Sequence, residues 1–196
     1  MKRNPFMLVA TTISAIFVTV LIGILALTFK DEPRYAAFDA DFSLVDDRGE
    51  AVDKSLFKGS PSLVYFGYTN CPEVCPTTLF EVAGYLQALG DEGKSLKTYF
   101  FTIDPERDTP SVMHAYVTAF SNRIRGVTGK PEEMKKVTDG MMIHAARQEG
   151  SNPNYHMSHT TSLLMIGADG RLKGLLPYGE PEDEAVKRIR ASLLGS

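Results

Sequence analysis

The stretch SLVYFGYTNCPEVCPTT, residues 62–78, runs from an apolar segment through a cysteine pair into a helical pattern. Ser62 to Gly67 is short and rich in β-formers, which suits a buried central strand. From Thr77 to Leu89 the apolar residues Leu79, Val82, Ala83, Leu86 and Leu89 recur at the spacing of an amphipathic helix. The join between them holds Cys71 and Cys75, the only two cysteines in a chain of 196 residues. Three uses compete for such a pair: a structural disulfide, a dithiol redox couple, or a metal site.

Elements of the same kind flank this unit. Phe42 to Val45 and Glu50 to Val52, joined through Gly49, read as a hairpin. Lys97 to Ile103 is a second buried strand. Pro110 sits well at the first position of a helix running to about Phe120, with Asp108 or Thr109 as its cap and Val112, Met113, Tyr116 and Val117 on one face. Pro131 to Met141 predicts a further helix, and Met141 to Arg147 an additional strand. Ser162 to Ile166 and Leu172 to Leu175 form a closing antiparallel hairpin around Gly170, and Glu182 to Leu194 a last amphipathic helix. Alternating strands and helices imply parallel pairing in the middle of the sheet. The order is that of an α/β, thioredoxin-like fold with an N-terminal β-hairpin and an inserted helix.

The N-terminus predicts a compartment. Residues 6–29 carry no charge and no proline, and 24 residues rising ~1.5 Å each can span a hydrocarbon core of ~30 Å. A secretory signal has a shorter apolar run, ~7–15 residues, ending in a small-x-small site that Leu25 to Phe29 does not offer. Residues 1–30 are therefore expected to be an uncleaved anchor with one transmembrane helix, 31–37 a polar linker, and 38–196 one exported domain. Lys2 and Arg3 favour a cytoplasmic N-terminus. The short N-terminus lacks an Arg/Ser-rich transit segment, which points to a bacterial inner membrane with the domain in the periplasm; a mitochondrial inner membrane is the alternative. A formal net charge of −3 and a pI near 5.8, without a basic cluster, give no sign of nucleic-acid binding.

The cysteines follow a strand and enter a helix, where free N–H groups and positive potential favour thiolate. Residues four apart on a helical turn face the same way, so both sulfurs can address one point. A disulfide across so small a loop gains little chain entropy and is a poor staple for a domain of this size. A dithiol couple suits an exported domain, although the usual couple has two intervening residues rather than three. Two thiolates suit Cu(I) or another thiophilic ion, which needs a third ligand from elsewhere. Of the four histidines, His114 reads as a solvated or partly packed helix residue and His144 as packing against, or pointing out of, a sheet. His156 and His159, on the approach to the closing hairpin, are the ligand candidates, and spacing alone does not rank them. Asp104, Arg107 and Asp108 read as a cap and a charge network beneath the site. The eight methionines are scattered and read as core or surface filler rather than a relay.

Residues 65–76, YFGYTNCPEVCP, resemble the signature of the Sco/SenC family of copper proteins. Residues 103–110, IDPERDTP, look like its D-P-x-R-D-T-P segment, and residues 155–170, from Tyr155 through His159 to Gly170, like its Tyr-x-x-x-His segment before a strand and D-G turn. The resemblance covers about residues 38–194. It implies a thioredoxin-like fold holding Cu(I) or Cu(II) through Cys71, Cys75 and His159, with His156 at a variable position. It implies a membrane-anchored metallochaperone, not a turnover enzyme, that assists assembly of the binuclear copper centre of cytochrome c oxidase. The implied partners are the copper-bearing oxidase subunit or another copper chaperone. Ser158 stands where the family commonly has Asp, a residue that could orient the imidazole. The rival reading is a membrane-anchored thiol–disulfide oxidoreductase or peroxidase that uses Cys71 and Cys75 as its redox pair, without need of His159.

Overall fold

A computed structural model describes residues 14, 16–21, 23, 38, 40–148 and 155–194. The chain divides into two compact units, residues 1–34 and 35–196. In the first, the described residues 14, 16–21 and 23 are helical. Most of the predicted span 6–29 lies outside the described residues. Among those described, no helix is long and apolar enough to cross a membrane.

The second unit is built on a seven-stranded sheet. Its strands in chain order are β1 (Leu44–Asp46), β2 (Ala51–Val52), β3 (Ser62–Gly67), β4 (Lys97–Thr102), β5 (Ile124–Thr128), β8 (Leu163–Ile166) and β9 (Leu172–Leu176). A separate two-stranded ribbon pairs β6 (Ala145–Arg147) with β7 (Met157–His159). The sheet order is β2-β1-β5-β4-β3-β8-β9. The middle, β3-β4-β5, is parallel; β1, β8 and β9 run antiparallel to their neighbours. This is the thioredoxin-like order that alternating strands and helices implied. Every residue of β3 is buried, as its unbroken apolar run requires of a strand with partners on both sides.

Four helices follow the strands: α1 (Val74–Leu89), α2 (Pro110–Thr118), α3 (Pro131–Gly140) and α4 (Glu182–Leu194). α1 packs beside α4, and α2 against β5. Leu79, Val82 and Leu86 of α1 join Val64, Phe66, Phe100 and Ile189 in one core. α2 is capped by Thr109, whose side chain accepts from the Val112 N–H, with Pro110 at the first turn. Asp108 is not the cap. Val112 lies 40 % exposed, so the apolar face of α2 is narrower than predicted and rests on Met113 and Val117.

Four elements differ from the sequence expectation. α1 begins at Val74 rather than Thr77, which brings Cys75 into its first turn. The additional strand predicted over 141–147 shrinks to Ala145–Arg147 and leaves the main sheet to pair with β7, a strand not predicted. β5, between β1 and β4, was also not predicted, because Arg125 and Gly126 interrupt its apolar pattern. Both residues have tertiary reasons. Arg125 pairs with buried Asp46 and, at 2.6 Å, with Glu50. At Gly126 a Cβ would come within 3.0 Å of Met113 and 3.2 Å of Asp47, so the close approach of α2 and the residue after β1 favours glycine.

Candidate metal centre

The carboxyl ends of β3 and β4, the first turn of α1 and the β6–β7 ribbon meet at one end of the sheet. Glu73 is the N-cap of α1 but offers no side-chain cap. Cys71 takes that role: its sulfur accepts the Cys75 N–H at 3.4 Å. An orphan donor of the helix start is thereby spent on stabilising a thiolate. The Cys71 N–H returns to the Tyr68 carbonyl at 3.3 Å, folding the loop into a turn.

Cys75 is fully buried and Cys71 partly so, and both are free thiols. Above Cys75 stands His159, whose Nε2 lies 3.5 Å from the Cys75 sulfur. The donor atoms of Cys71, Cys75 and His159 all fall within 4.8 Å of one another. His159 Nδ1 sits 2.8 Å from the Thr160 carbonyl oxygen. A carbonyl only accepts, so Nδ1 carries the proton and Nε2 is the nitrogen turned to the sulfurs. Tyr65 and Tyr68 box the imidazole edge-on, with centroids at 6.2 and 6.0 Å. Tyr65 donates its hydroxyl to the Cys75 sulfur at 3.7 Å.

The two sulfurs differ sharply. The Cys75 S–H donating to Cys71 holds the Cys71 thiol well below the ordinary thiol range; burial opposes this, and His159 and backbone N–H groups add to it. Cys75 is pushed up, first by the bond to Cys71 and then by its own burial. One proton is shared between a half-exposed thiolate and a buried thiol. Two sulfurs and one imidazole nitrogen, converging without a carboxylate, are a donor set for a soft metal ion.

Gly67 makes the convergence possible. A Cβ there would lie 2.8 Å from the Cys75 sulfur and 2.8 Å from Phe100. We expect Gly67→Ala to destabilise the fold by about 1–3 kcal/mol, the usual cost of overpacking, and to push Cys75 outward. Urea midpoints and the alkylation rate of Cys75 check the two effects.

The remaining predicted residues divide. Asp108 is fully buried and accepts from the Thr69 N–H at 3.0 Å and the Thr69 and Thr102 hydroxyls at 2.5 Å each. It ties the cysteine loop to the end of β4. Asp104 pairs with Arg107, so the predicted network exists. His156 reaches the Tyr68 hydroxyl at 3.5 Å rather than the sulfurs. His114 is half-exposed and bonded to Asp47 at 2.7 Å, away from the cluster. His144 is exposed and lies 3.2 Å from Ser158 Oγ. Neighbouring strand residues face opposite sides, so Ser158 points away from the side that His159 presents to the sulfurs. Residue 158 therefore meets His144, not the cluster. Tyr155 is the contributor that the reading of single residues passed over. Its ring lies against Arg107 and its hydroxyl donates to Asp104 at 2.6 Å. Its signal was its place four residues before His159, but nothing local tied it to an Asp and an Arg some fifty positions upstream.

The chain matches the SCO1/SenC family model over residues 30–194. It is 38 % identical over 133 residues to a SCO2-like protein of Rickettsia felis, covering 67 % of this chain and 65 % of that protein. It is 33 % identical over 158 residues to the mitochondrial SCO2 homologue of Bos taurus, covering 79 % and 59 %. The chain thus spans less than two thirds of the length of these relatives. Among solved structures it resembles copper-bound ScoI of Bradyrhizobium japonicum, at 35 % identity and a TM-score of 0.73, covering 78 % of this chain and 98 % of that one. Copper-bound yeast Sco1 is similar at 26 % identity and a TM-score of 0.76, covering 82 % and 91 %.

Proposed function

The chain belongs to the SCO1/SenC family, and on that premise we propose that it is a copper metallochaperone that assists assembly of the binuclear copper centre of cytochrome c oxidase. It is a carrier rather than a turnover enzyme. The observation that carries this reading is the convergence of Cys71, Cys75 and His159 within 4.8 Å. Two thiolates and an imidazole in a three-coordinate arrangement suit Cu(I), and an added oxygen ligand would accommodate Cu(II). Copper is the cargo, and the three donors are its holders.

The surroundings suit release as well as capture. Cys71 is partly exposed, Cys75 is buried, and His159 comes from a ribbon outside the main sheet. A thiolate of the acceptor can replace these donors one at a time. The acceptor is the copper-bearing oxidase subunit or another copper chaperone. The family includes bacterial and mitochondrial proteins. For this chain we place residues 38–196 in the periplasm, joined by a linker at 31–37 to an inner-membrane anchor within residues 1–30. The uncharged run 6–29 and the cations Lys2 and Arg3 support that placement.

The polarised thiol pair supports a second reading, reduction of a partner's cysteines. The Cys71 thiolate would attack a partner disulfide, forming a mixed disulfide and releasing one partner thiolate. Cys75, on losing its proton, would attack Cys71, releasing the second partner thiolate and leaving a Cys71–Cys75 disulfide. An anaerobic Cu(I) titration against a competing chelator separates the readings. Carriage predicts one tight equivalent, weakened by about 100-fold or more in His159→Ala, because losing a direct donor costs at least as much as the upper end of losing an outer-shell partner. The Cys71–Cys75 disulfide of that variant should remain reducible. An affinity indifferent to His159 leaves the reductase.

A further inference from the structure

His159 does not belong to the sheet that carries the cysteines. It sits on β7, whose only strand partner among the described residues is β6. The ribbon's own hydrogen bonds, Gln148 N–H to the His156 carbonyl at 2.9 Å and Thr160 N–H to the His144 carbonyl at 3.0 Å, keep it intact without docking it. Ile143, buried in the core just before β6, and Met157, packed against the core, supply its apolar contacts. Besides the contacts of His156 with Tyr68 and of His159 with Cys75, each at 3.5 Å, the polar attachment runs through Tyr155, two residues before β7 and 7 % exposed.

Tyr155 is gripped on every side. The guanidinium carbons of Arg107 and Arg147 lie 3.7 and 3.6 Å from its ring centroid. Two cations can come that close only on opposite faces, in a double cation–π stack. Arg147 belongs to the ribbon; Arg107 belongs to the loop between β4 and α2. Arg107 also donates through Nη1 to the Tyr155 carbonyl at 3.1 Å and through Nε to Asp104. The Tyr155 hydroxyl donates to the other oxygen of Asp104 at 2.6 Å. Arg107 further approaches Tyr68, at 5.8 Å from its centroid, and Tyr68 is one of the two rings boxing His159.

We propose that Arg107, Asp104 and Tyr155 form a clasp whose function is to position His159 against the two sulfurs. The clasp touches none of the three donor atoms. It acts by fixing the ribbon, and so sets how long the imidazole stays in place while the cysteines hold their cargo. Opening it withdraws one donor and leaves the other two untouched. Arg107 and Tyr155 are positioning residues, and this role rests on the copper-site reading above.

The test uses the full-length chain in detergent. Four variants are compared: Arg107→Met, Tyr155→Phe, His159→Ala, and Arg107→Met combined with His159→Ala. Arg107→Met should weaken Cu(I) binding by about 10-fold, the lower end of the range for groups that orient a ligand, and Tyr155→Phe, which loses one hydrogen bond and keeps the ring stack, by about 3-fold. In the His159→Ala background Arg107→Met should add less than about a 2-fold loss, because the donor it positions is gone. In metal-free protein, Arg107→Met should speed hydrogen exchange at the Gln148 and Thr160 amides by about 10-fold while the β4 amides keep their protection. Equal losses in both backgrounds, or unchanged exchange in the ribbon, overturn the clasp. A His159→Ala variant that binds Cu(I) normally overturns the donor assignment and the clasp's role with it. A weakened His159→Ala beside an unaffected Arg107→Met overturns the clasp alone.

Discussion

Cys75→Ala is expected to abolish tight Cu(I) binding and, in the metal-free protein, to make Cys71 unreactive in mild acid. Both effects come from one sulfur. Without Cys75 the donor set falls to one thiolate and one imidazole, too few for a soft-ion site of high affinity. The same side chain is the foremost cause of the low Cys71 pKa. With a depressed pKa, Cys71 stays thiolate as pH falls well below the ordinary thiol value, ~8.5. Wild-type Cys71 should therefore alkylate with iodoacetamide at a nearly constant rate down to about pH 6. In Cys75→Ala the pKa moves back up, and the rate at about pH 6 should drop by at least 10-fold relative to wild type, the thiolate fraction outweighing the gain in intrinsic nucleophilicity. Mass spectrometry of quenched samples follows this directly. A variant that keeps the flat profile would mean that the helix start and His159 suffice to hold the thiolate.

Asp108→Ala is expected to be the most damaging substitution that leaves the donors in place. The carboxylate is fully buried and satisfies three donors from Thr69 and Thr102, while its own carbonyl accepts the Thr128 hydroxyl at 2.6 Å. The side chain thus joins the loop before Cys71 to the carboxyl end of β4, while the backbone carbonyl, which Asp108→Ala keeps, holds the end of β5. Removal of the side chain strands buried donors and opens a small void, for a cost of about 3–5 kcal/mol. Asp108→Asn keeps the shape and one acceptor, and should cost about half as much. Burial raises the Asp108 pKa, against the pull of the bonds from Thr102 and Thr69. A carboxyl raised in the folded state contributes fully to stability below its unfolded pKa, ~3.9, and loses that contribution as pH rises through the folded value. The deficit of Asp108→Ala should therefore be larger near pH 4 than near pH 8, with pH taken as about those values. Urea unfolding at the two pH values measures it; a larger deficit at the alkaline end would contradict the sign.

The fold was legible where one face or one period dominates. β3, β4, β8 and the helices after them have unbroken apolar patterns, and those are the elements that place Cys71 and Cys75. β5 was hidden because its sequence serves contacts made elsewhere. Arg125 reaches Asp46, and Gly126 clears space for Met113. β7 was hidden because a three-residue strand carries no period to read, and all its residues are partly exposed. Spacing alone left His156 and His159 open, and the family resemblance singled out His159. Both stood on one short segment, and strand geometry, not composition, turns His159 to the sulfurs and His156 to Tyr68. Asp104, Arg107 and Asp108 were visible as a charged cluster. Their division of labour was not, because Asp108 acts on the loop of Cys71 and the other two act on Tyr155, tens of residues away in opposite directions along the chain.

The main sheet stops abruptly on both flanks. On one side β2 is two residues long, Ala51–Val52. On the other, β9 is thrown out of register by an irregularity between Met165 and Ile166, and its Gly174 leaves no side chain to cover the Met165 methyl beside it. An open strand invites polymerisation only when it offers a long, flat row of unpaired amides and carbonyls. Neither flank does. Strand addition by a second chain is therefore disfavoured at both flanks. The ends of the strands carry no such bar, and Cys71 lies partly exposed at one of them.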